Sequence, residues 1–408
     1  MRACGGCGGA ALEPVVSLGA MPHVNTFLTA DRVADEQRAP LDVFFCATCT
    51  LVQLAPVVDP RRLFTEYAYL TSAARTTVAY LTDLAAALVR GFDLGPTSRV
   101  LEIGSNDGTL LRQFRGVTPH VVGIDPARNV AARAEAAGVR TIVDFFSSRT
   151  AIAIEGEHGP FDLVLALNVV AHTPDFVDLL AGVVRLLAPG GRFVMECAYV
   201  LPTILAGEID TIYHEHVYCF SLRALMGAAA RVGLTIVDAR EVAVQGGSLR
   251  VVMQPTSLHN QIDGGVAALL GKEHGAGLHL GATYAPVAAR ARALRDDVCA
   301  GLERLRRTAD VVVGLGAPAR GVVLMNYCGL SRADLDFVVD DTPLKQGKVV
   351  PGCHIPVADW TRIEKDGNIA ALMLSWNYRR EVLEKLRCRT TNARVLVPLP
   401  TMEEVRLA

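Results

Sequence analysis

The sequence predicts an α/β protein in three parts: a zinc-ribbon-like N-terminal domain (1–60), a central doubly wound Rossmann-like domain (61–274) and a smaller C-terminal Rossmann-like α/β domain (275–408). Three observations carry this. Two CxxC pairs, "CGGC" and "CATC", lie in the first fifty residues. From about residue 98, apolar strands alternate with helical stretches, a spacing that builds parallel sheets. A second strand–glycine turn–helix, "ADVVVGLGAPARG", opens the last part.

In the first part, Cys4, Cys7, Cys46 and Cys49 can present four thiolates to one tetrahedral Zn²⁺, leaving no open coordination position, so the site supports folding and does no chemistry. Short strand-like pieces, "DVFFC" and "TLVQLAP", flank the second pair. The six other cysteines are scattered singly and read as small buried hydrophobes.

The stretches "RRLFTEYAYL" and "TVAYLTDLAAALVRGF" read as helical. After them come "RVLEIG" as a strand, "GTLLRQF" as a helix and "HVVGID" as a strand. "ARNVAARAEAAG" is the next helix, "VRTIVD" and "FDLVLALN" are strands, "DFVDLLAGVVRLLAPGG" is a helix stopped by Pro-Gly-Gly, and "RFVMEC" is a further strand. In the third part a helical run near 283–308 precedes the glycine turn, and "LDFVVDD", "NIAALMLSW" and "ARVLVPLP" supply strands.

Composition bounds the function. Of 408 residues, 51% are hydrophobic, and the mean hydropathy is positive. Yet no apolar run reaches the roughly 18 residues a spanning helix needs, so no membrane partner is expected. "MRACGGCGG" lacks the apolar core of a signal peptide, and a cytoplasmic location is expected. A net charge of −2 without basic runs argues against nucleic acid, which is gripped by clustered Lys and Arg. The oligomeric state is left open, a monomer included.

The first glycine turn, "LEIGSNDGTLL", places Gly104 and Gly108 where backbone can approach a ligand. It lacks the third glycine of the dinucleotide fingerprint. Asp125 ends the next strand, where an acidic group can take ribose hydroxyls; Asp144 and Asn168 end the two strands after it. Glu102 precedes the turn, and Asn106 and Asp107 lie within it. Carboxylates here would repel a pyrophosphate but suit the ammonium and sulfonium of S-adenosylmethionine. The expected cofactor is therefore this methyl donor, with NAD the rival.

The second turn, "GLGAPARG", has two readings. Arg320 and the helix start can face a substrate phosphate, or the turn is structural. Lys345 and Lys348 in the same domain favour an anionic substrate.

The stretch "IYHEHVY" (212–218) holds Tyr213, His214, Glu215 and His216. Adjacent residues point different ways, so a shared metal ion is disfavoured, and the HExxH spacing is absent. Proton transfer is favoured: methylating carbon requires an enolate, and histidine's pKa near 6.5 suits a base.

With the cysteine pairs, "EIGSNDGTLL", "NVVAHTPD", "IYHEHVY", "QGGSLR" and "GLGAPARG" in this order, the chain resembles the S-adenosylmethionine-dependent C-methyltransferases of deoxysugar biosynthesis. The resemblance implies a zinc-binding domain, a central methyltransferase domain and a C-terminal Rossmann-like domain. It implies methyl transfer to the carbon alpha to the ketone, C-3′, of a dTDP-linked 4-keto-deoxysugar. By motif, His216 resembles the base, supported by Glu215 and Tyr213. His172 and Tyr67 match residues near the reacting centre, while His214, Gly247 and Ser248 stand with Arg320, Lys345 and Lys348 on the substrate side. Val217, Tyr218 and Cys219 follow the motif where the family commonly has an aromatic and a serine, which leaves the sugar and the carbon open. Methyl transfer to oxygen or nitrogen, and a non-catalytic zinc adaptor that binds the donor, are the other readings.

Overall fold

The computed structural model describes residues 3–407 except 203–206, 245, 259–260 and 364–366. Strands β1 (Leu12–Pro22), β2 (Arg38–Cys46) and β3 (Val52–Leu54) form an antiparallel sheet. Alternating burial along β2 turns Leu41, Val43 and Phe45 inward, the period-two signature of a half-buried strand.

The central sheet begins with β4 (Val100–Ile103), β5 (Val121–Ile124), β6 (Thr141–Ile142), β7 (Phe161–Leu167) and β8 (Leu187–Ala198). A two-residue strand, β9 (Tyr218–Cys219), leaves this region and pairs with β3, so the central part completes the N-terminal sheet in the order β1-β2-β3-β9. Strands β10 (Leu234–Val242) and β11 (Ser248–Pro255) form an antiparallel pair that closes the central sheet, order β10-β11-β8-β7-β4-β5-β6. The pairs from β6 to β8 are parallel. Parallel strands carry helices on both faces, which explains why β4 is buried throughout.

Helix Arg75–Gly91 packs on one face through Leu81, Leu84, Ala85 and Leu88, a spacing that aligns one side of an α-helix. Helix Phe176–Leu186, capped by the Asp175 side chain, buries Phe176, Leu179, Leu180, Val183 and Leu186 on the other. The Pro-Gly-Gly expected to stop it lies within β8 instead, since the chain turns extended at Leu187.

A larger departure concerns "RRLFTEYAYL". Only Arg61–Phe64 is helical, and the chain then runs as a strap to Ala74 with one 3₁₀ turn at Thr71–Ala73. Its amides bond to side chains instead of to a helical turn: Tyr67 N–H to Asn129, Thr71 N–H to Asn106 and Ser72 N–H to Asp107, each at 3.0 Å.

The last sheet contains β12 (Val311–Leu315), β13 (Phe337–Val339), β14 (Val357–Ala358), β15 (Ile369–Met373), β16 (Ala393–Val397) and β17 (Glu403–Leu407). Their order is β14-β13-β12-β15-β16-β17. Only the β16–β17 pairing is antiparallel. Helix Val287–Arg306 packs on this sheet through buried Val298, Leu302 and Leu305. Both Rossmann-like sheets reverse strand order beside their first strand, at β4/β7 and at β12/β15, the place where such sheets leave a crevice.

Candidate functional site

At the first crevice, Gly104 and Gly108 have φ of +68° and +73°, a region open to glycine at little cost. A Cβ on Gly104 would lie 2.3 Å from Val169 Cγ2, so this turn admits no side chain. Glu102 is buried, and its Oε2 has no hydrogen-bond partner among the described residues. Burial, with Asp125 and Asp107 nearby, pushes its carboxyl well above the usual range. A buried acceptor left without a donor is costly. The donor set here is acidic and suits a cationic ligand, as S-adenosylmethionine is.

The other residues expected at the donor distribute differently. Asp125 accepts from the backbone N–H of Asn106 and Ala127, both at 2.9 Å. Asn106 and Asp107 direct their side chains at the strap, Asn106 also donating to Tyr69 O. Asn168 follows β7 with φ +56°, its N–H bound to Glu196 O. Asp144 is exposed and accepts from Phe145 N–H.

The strap brings Tyr67 to the "YHEH" stretch. Tyr67 Oη donates to Glu215 Oε2 at 2.8 Å, and Asn25 Nδ2 donates to Oε1 at 2.6 Å. Glu215 is buried, which pushes its carboxyl up to about 7 against the pull of these two donors.

His216 is fixed at both nitrogens. Nδ1 lies 2.7 Å from Thr211 O and Nε2 lies 2.7 Å from Tyr213 Oη. A carbonyl oxygen only accepts, so the network assigns the proton to Nδ1 and leaves Nε2 as the acceptor of the Tyr213 O–H. Burial lowers the His216 pKa to about 4, so the ring is neutral near pH 7. His172 lies alongside, ring centroids 5.0 Å apart, with Phe64 stacked on it at 5.7 Å. Burial holds His172 well below its usual pKa, and the buried His172 Nε2 has no partner among the described residues. Tyr67, His172, Tyr213, Glu215 and His216 therefore gather in one place.

His214 turns elsewhere. Its Nε2 donates to Ala39 O at 3.1 Å and its ring meets the edge of His23, so it ties the central part to the N-terminal sheet. Arg320 is buried, its guanidinium 2.7 Å from Glu208 Oε2 and 3.2 Å from Asp210 Oδ1, over the Trp376 ring at 4.6 Å. Trp376 Nε1 also donates to Asp210. Lys345 donates to Ala317 O at 2.8 Å and Lys348 is half-buried. Gly247 has φ +117°, and Ser248 Oγ donates to Val244 O at 3.1 Å as β11 begins; Gln245 of the same motif lies outside the described residues.

Asn25, Asn129, Thr211, Glu208, Asp210 and Trp376 escaped the sequence reading. Asn25 meets Glu215 across 190 positions, and no local pattern signals such a pair.

The four N-terminal thiols converge, all within 4.8 Å of one another, with Cys4–Cys49 at 3.5 Å and Cys7–Cys46 at 3.7 Å. A tetrahedral Zn–S₄ centre with bonds near 2.3 Å sets sulfurs about 3.8 Å apart. The donor set fits structural Zn²⁺. No described helix is long and apolar enough to cross a membrane.

Three family profiles match. Residues 4–64 match one described as "Putative zinc binding domain", residues 73–239 a methyltransferase domain, and residues 243–400 a C-methyltransferase C-terminal domain. The C-methyltransferase NovU of Streptomyces niveus is 35% identical over 401 residues, 97% of this chain and 95% of that protein. A ubiquinone biosynthesis O-methyltransferase of Rhodopseudomonas palustris (strain BisA53) is 33% identical over 127 residues, covering 29% of this chain and 48% of its own. The magnesium protoporphyrin IX methyltransferase of Synechocystis PCC 6803, solved with SAH, aligns over 43% of this chain and 82% of its own, at 14% identity and a TM-score of 0.35.

Proposed function

This chain belongs to the S-adenosylmethionine-dependent C-methyltransferases, and from that premise we propose that it methylates the carbon alpha to the ketone, C-3′, of a dTDP-linked 4-keto-deoxysugar. The observation that carries the reading is the state of His216: neutral, its Nδ1 proton given to Thr211 O, its Nε2 lone pair aimed at Tyr213 Oη.

Bound S-adenosylmethionine supplies an electrophilic methyl group on a sulfonium. What remains for the chain is to make a carbon nucleophile. His216 Nε2 takes the alpha proton, with Tyr213 yielding that nitrogen as the sugar enters. The electron pair of the C–H bond moves to the enolate, whose oxygen needs a donor; Tyr213, released from His216 Nε2, has its O–H free for that oxygen, whereas Tyr67 spends its proton on Glu215. Glu215 orients Tyr67 through their 2.8 Å bond. Low polarity around His172 and His216 keeps both rings neutral, so neither opposes approach of the cationic donor.

Glu102, Gly104, Gly108 and Asp125 would hold the donor, with Asn106 and Asp107 acting through the strap. The four cysteines would hold Zn²⁺ in a closed site with no open position for chemistry. Arg320, Lys345, Gly247 and Ser248 remain candidates for the nucleotide side of the substrate, as does Lys348. The test is mass spectrometry with labelled methyl donor and a panel of dTDP-4-keto sugars. The reading predicts a labelled methyl on ring carbon. Methyl on a hydroxyl, or no product from any 4-keto sugar, would overturn it.

A further inference from the structure

We infer that Asn25 is a positioning residue of this reaction, supplied by the N-terminal domain, which holds the Glu215 carboxyl group against Tyr67. The inference rests on the reaction proposed above.

Glu215 is 2% exposed, and a carboxyl so buried needs a partner at each oxygen. Tyr67 serves Oε2 and Asn25 serves Oε1, so each oxygen has its donor among the described residues. One donor alone would leave the carboxyl free to rotate about its last torsion, which is broad. Two donors from separate chain segments fix its plane, and with it the Tyr67 hydroxyl.

Asn25 is itself held from two sides. It follows β1 in the turn where Thr26 N–H bonds to His23 O. His23 packs on His214 of the central part. Phe27, two residues on, is buried under the Lys345 ammonium at 5.2 Å, and Val349 N–H bonds to Leu28 O at 2.9 Å. All three parts of the chain therefore converge on this short segment. An amide is also the suitable end group: it donates to the carboxyl without adding charge.

The groups that face Glu215 are Tyr67 from the strap, Tyr213 from its own loop and Lys345 from the C-terminal domain. Placing a second carboxyl at position 25 adds a like charge at hydrogen-bond distance, and two such groups share one proton.

The experiment measures methyl transfer from pH 5.5 to 9 for the full-length wild type, Asn25→Asp, Glu215→Gln and the double variant, after zinc content and unfolding midpoint show that each is folded. Asn25→Asp is expected to move the Glu215-dependent limb up by about one pH unit and to lower kcat about tenfold, with donor affinity unchanged. In the Glu215→Gln background the same substitution should change neither. Superimposable profiles for wild type and Asn25→Asp, or an equal loss in both backgrounds, would overturn the inference. If Asn25→Asp does not fold, Asn25→Ser takes its place: tenfold lower kcat in wild type and no effect in Glu215→Gln support the assignment, equal effects refute it. Should the wild type methylate no 4-keto sugar, the reaction itself is wrong. The pH dependence of unfolding in the same four proteins still reads the Asn25–Glu215 coupling without substrate: no coupling would overturn the contact as well.

Discussion

Tyr213 Oη lies 2.7 Å from His216 Nε2, three residues on along the chain, and covers the one nitrogen of that ring able to accept a proton. A base masked by a phenol is protected from solvent and is exposed when a substrate displaces the phenol. Because Thr211 O holds Nδ1, the ring cannot flip without losing a bond.

His216→Asn keeps a donor toward Thr211 and removes the base. Turnover should fall by about 10²–10⁴-fold, the usual worth of a positioned acid or base, while calorimetry shows donor and sugar still binding. Solvent deuterium incorporation at the alpha carbon without donor should vanish together with turnover. Full turnover in the variant would remove His216 from its role.

Glu215 gives a pH signature. Its carboxyl is raised from the ordinary carboxylate value to about 7, chiefly by burial. The folded state therefore binds more protons than the unfolded chain between roughly pH 4.5 and 7, and stability falls as pH rises through that window. Glu215→Gln should be relatively more stable at pH 8 than at pH 5, the gain over wild type growing by at most about 3 kcal/mol. Denaturant unfolding at the two pH values measures it. A gain that shrinks toward pH 8 would contradict the sign.

Glu102 offers a buried carboxyl with an unpartnered oxygen. Glu102→Gln should weaken S-adenosylmethionine binding about tenfold or more by calorimetry, since the carboxyl can ionise opposite a cationic ligand and the amide cannot. Unchanged affinity would show that the donor's ammonium lies elsewhere.

Arg320 carries a buried ion pair across the chain, with Glu208 and Asp210 in one part and its own helix in another. Arg320→Met leaves two buried carboxyls without their cation and should cost about 3–5 kcal/mol. Adding Glu208→Gln to that variant should restore part of it. Urea unfolding of the single and double variants measures both effects.

Metal removal should act on stability before chemistry. Cys4→Ser or a strong chelator should abolish zinc content and lower the unfolding midpoint by several degrees, since a structural metal stabilises only the folded state. Metal analysis beside calorimetry reads this without any assay of turnover. An unchanged midpoint in the metal-free protein would show that the four thiols need no ion.

The three-part α/β plan, the glycine turns and the thiol quartet were legible in the sequence, because each depends on local periodicity or on short spacing. "RVLEIG" and "FDLVLALN" are continuous apolar runs since parallel strands are buried on both faces. The CxxC turns bring two sulfurs together whatever lies between the pairs. Histidine, glutamate and tyrosine crowded into "YHEH" marked a place with no common buried face.

Tertiary structure decided the rest. The strap at 65–74 has helix-like composition, yet Asn106, Asp107 and Asn129 take its amides and hold it extended. His214 and His216 are two positions apart, and packing alone sends one to Ala39 and the other to Tyr213. Arg320 faces two carboxylates that no spacing announces, and Asn25 reaches Glu215 across 190 positions. Periodicity reports which face of an element is buried; what that face meets is fixed only when distant segments pack.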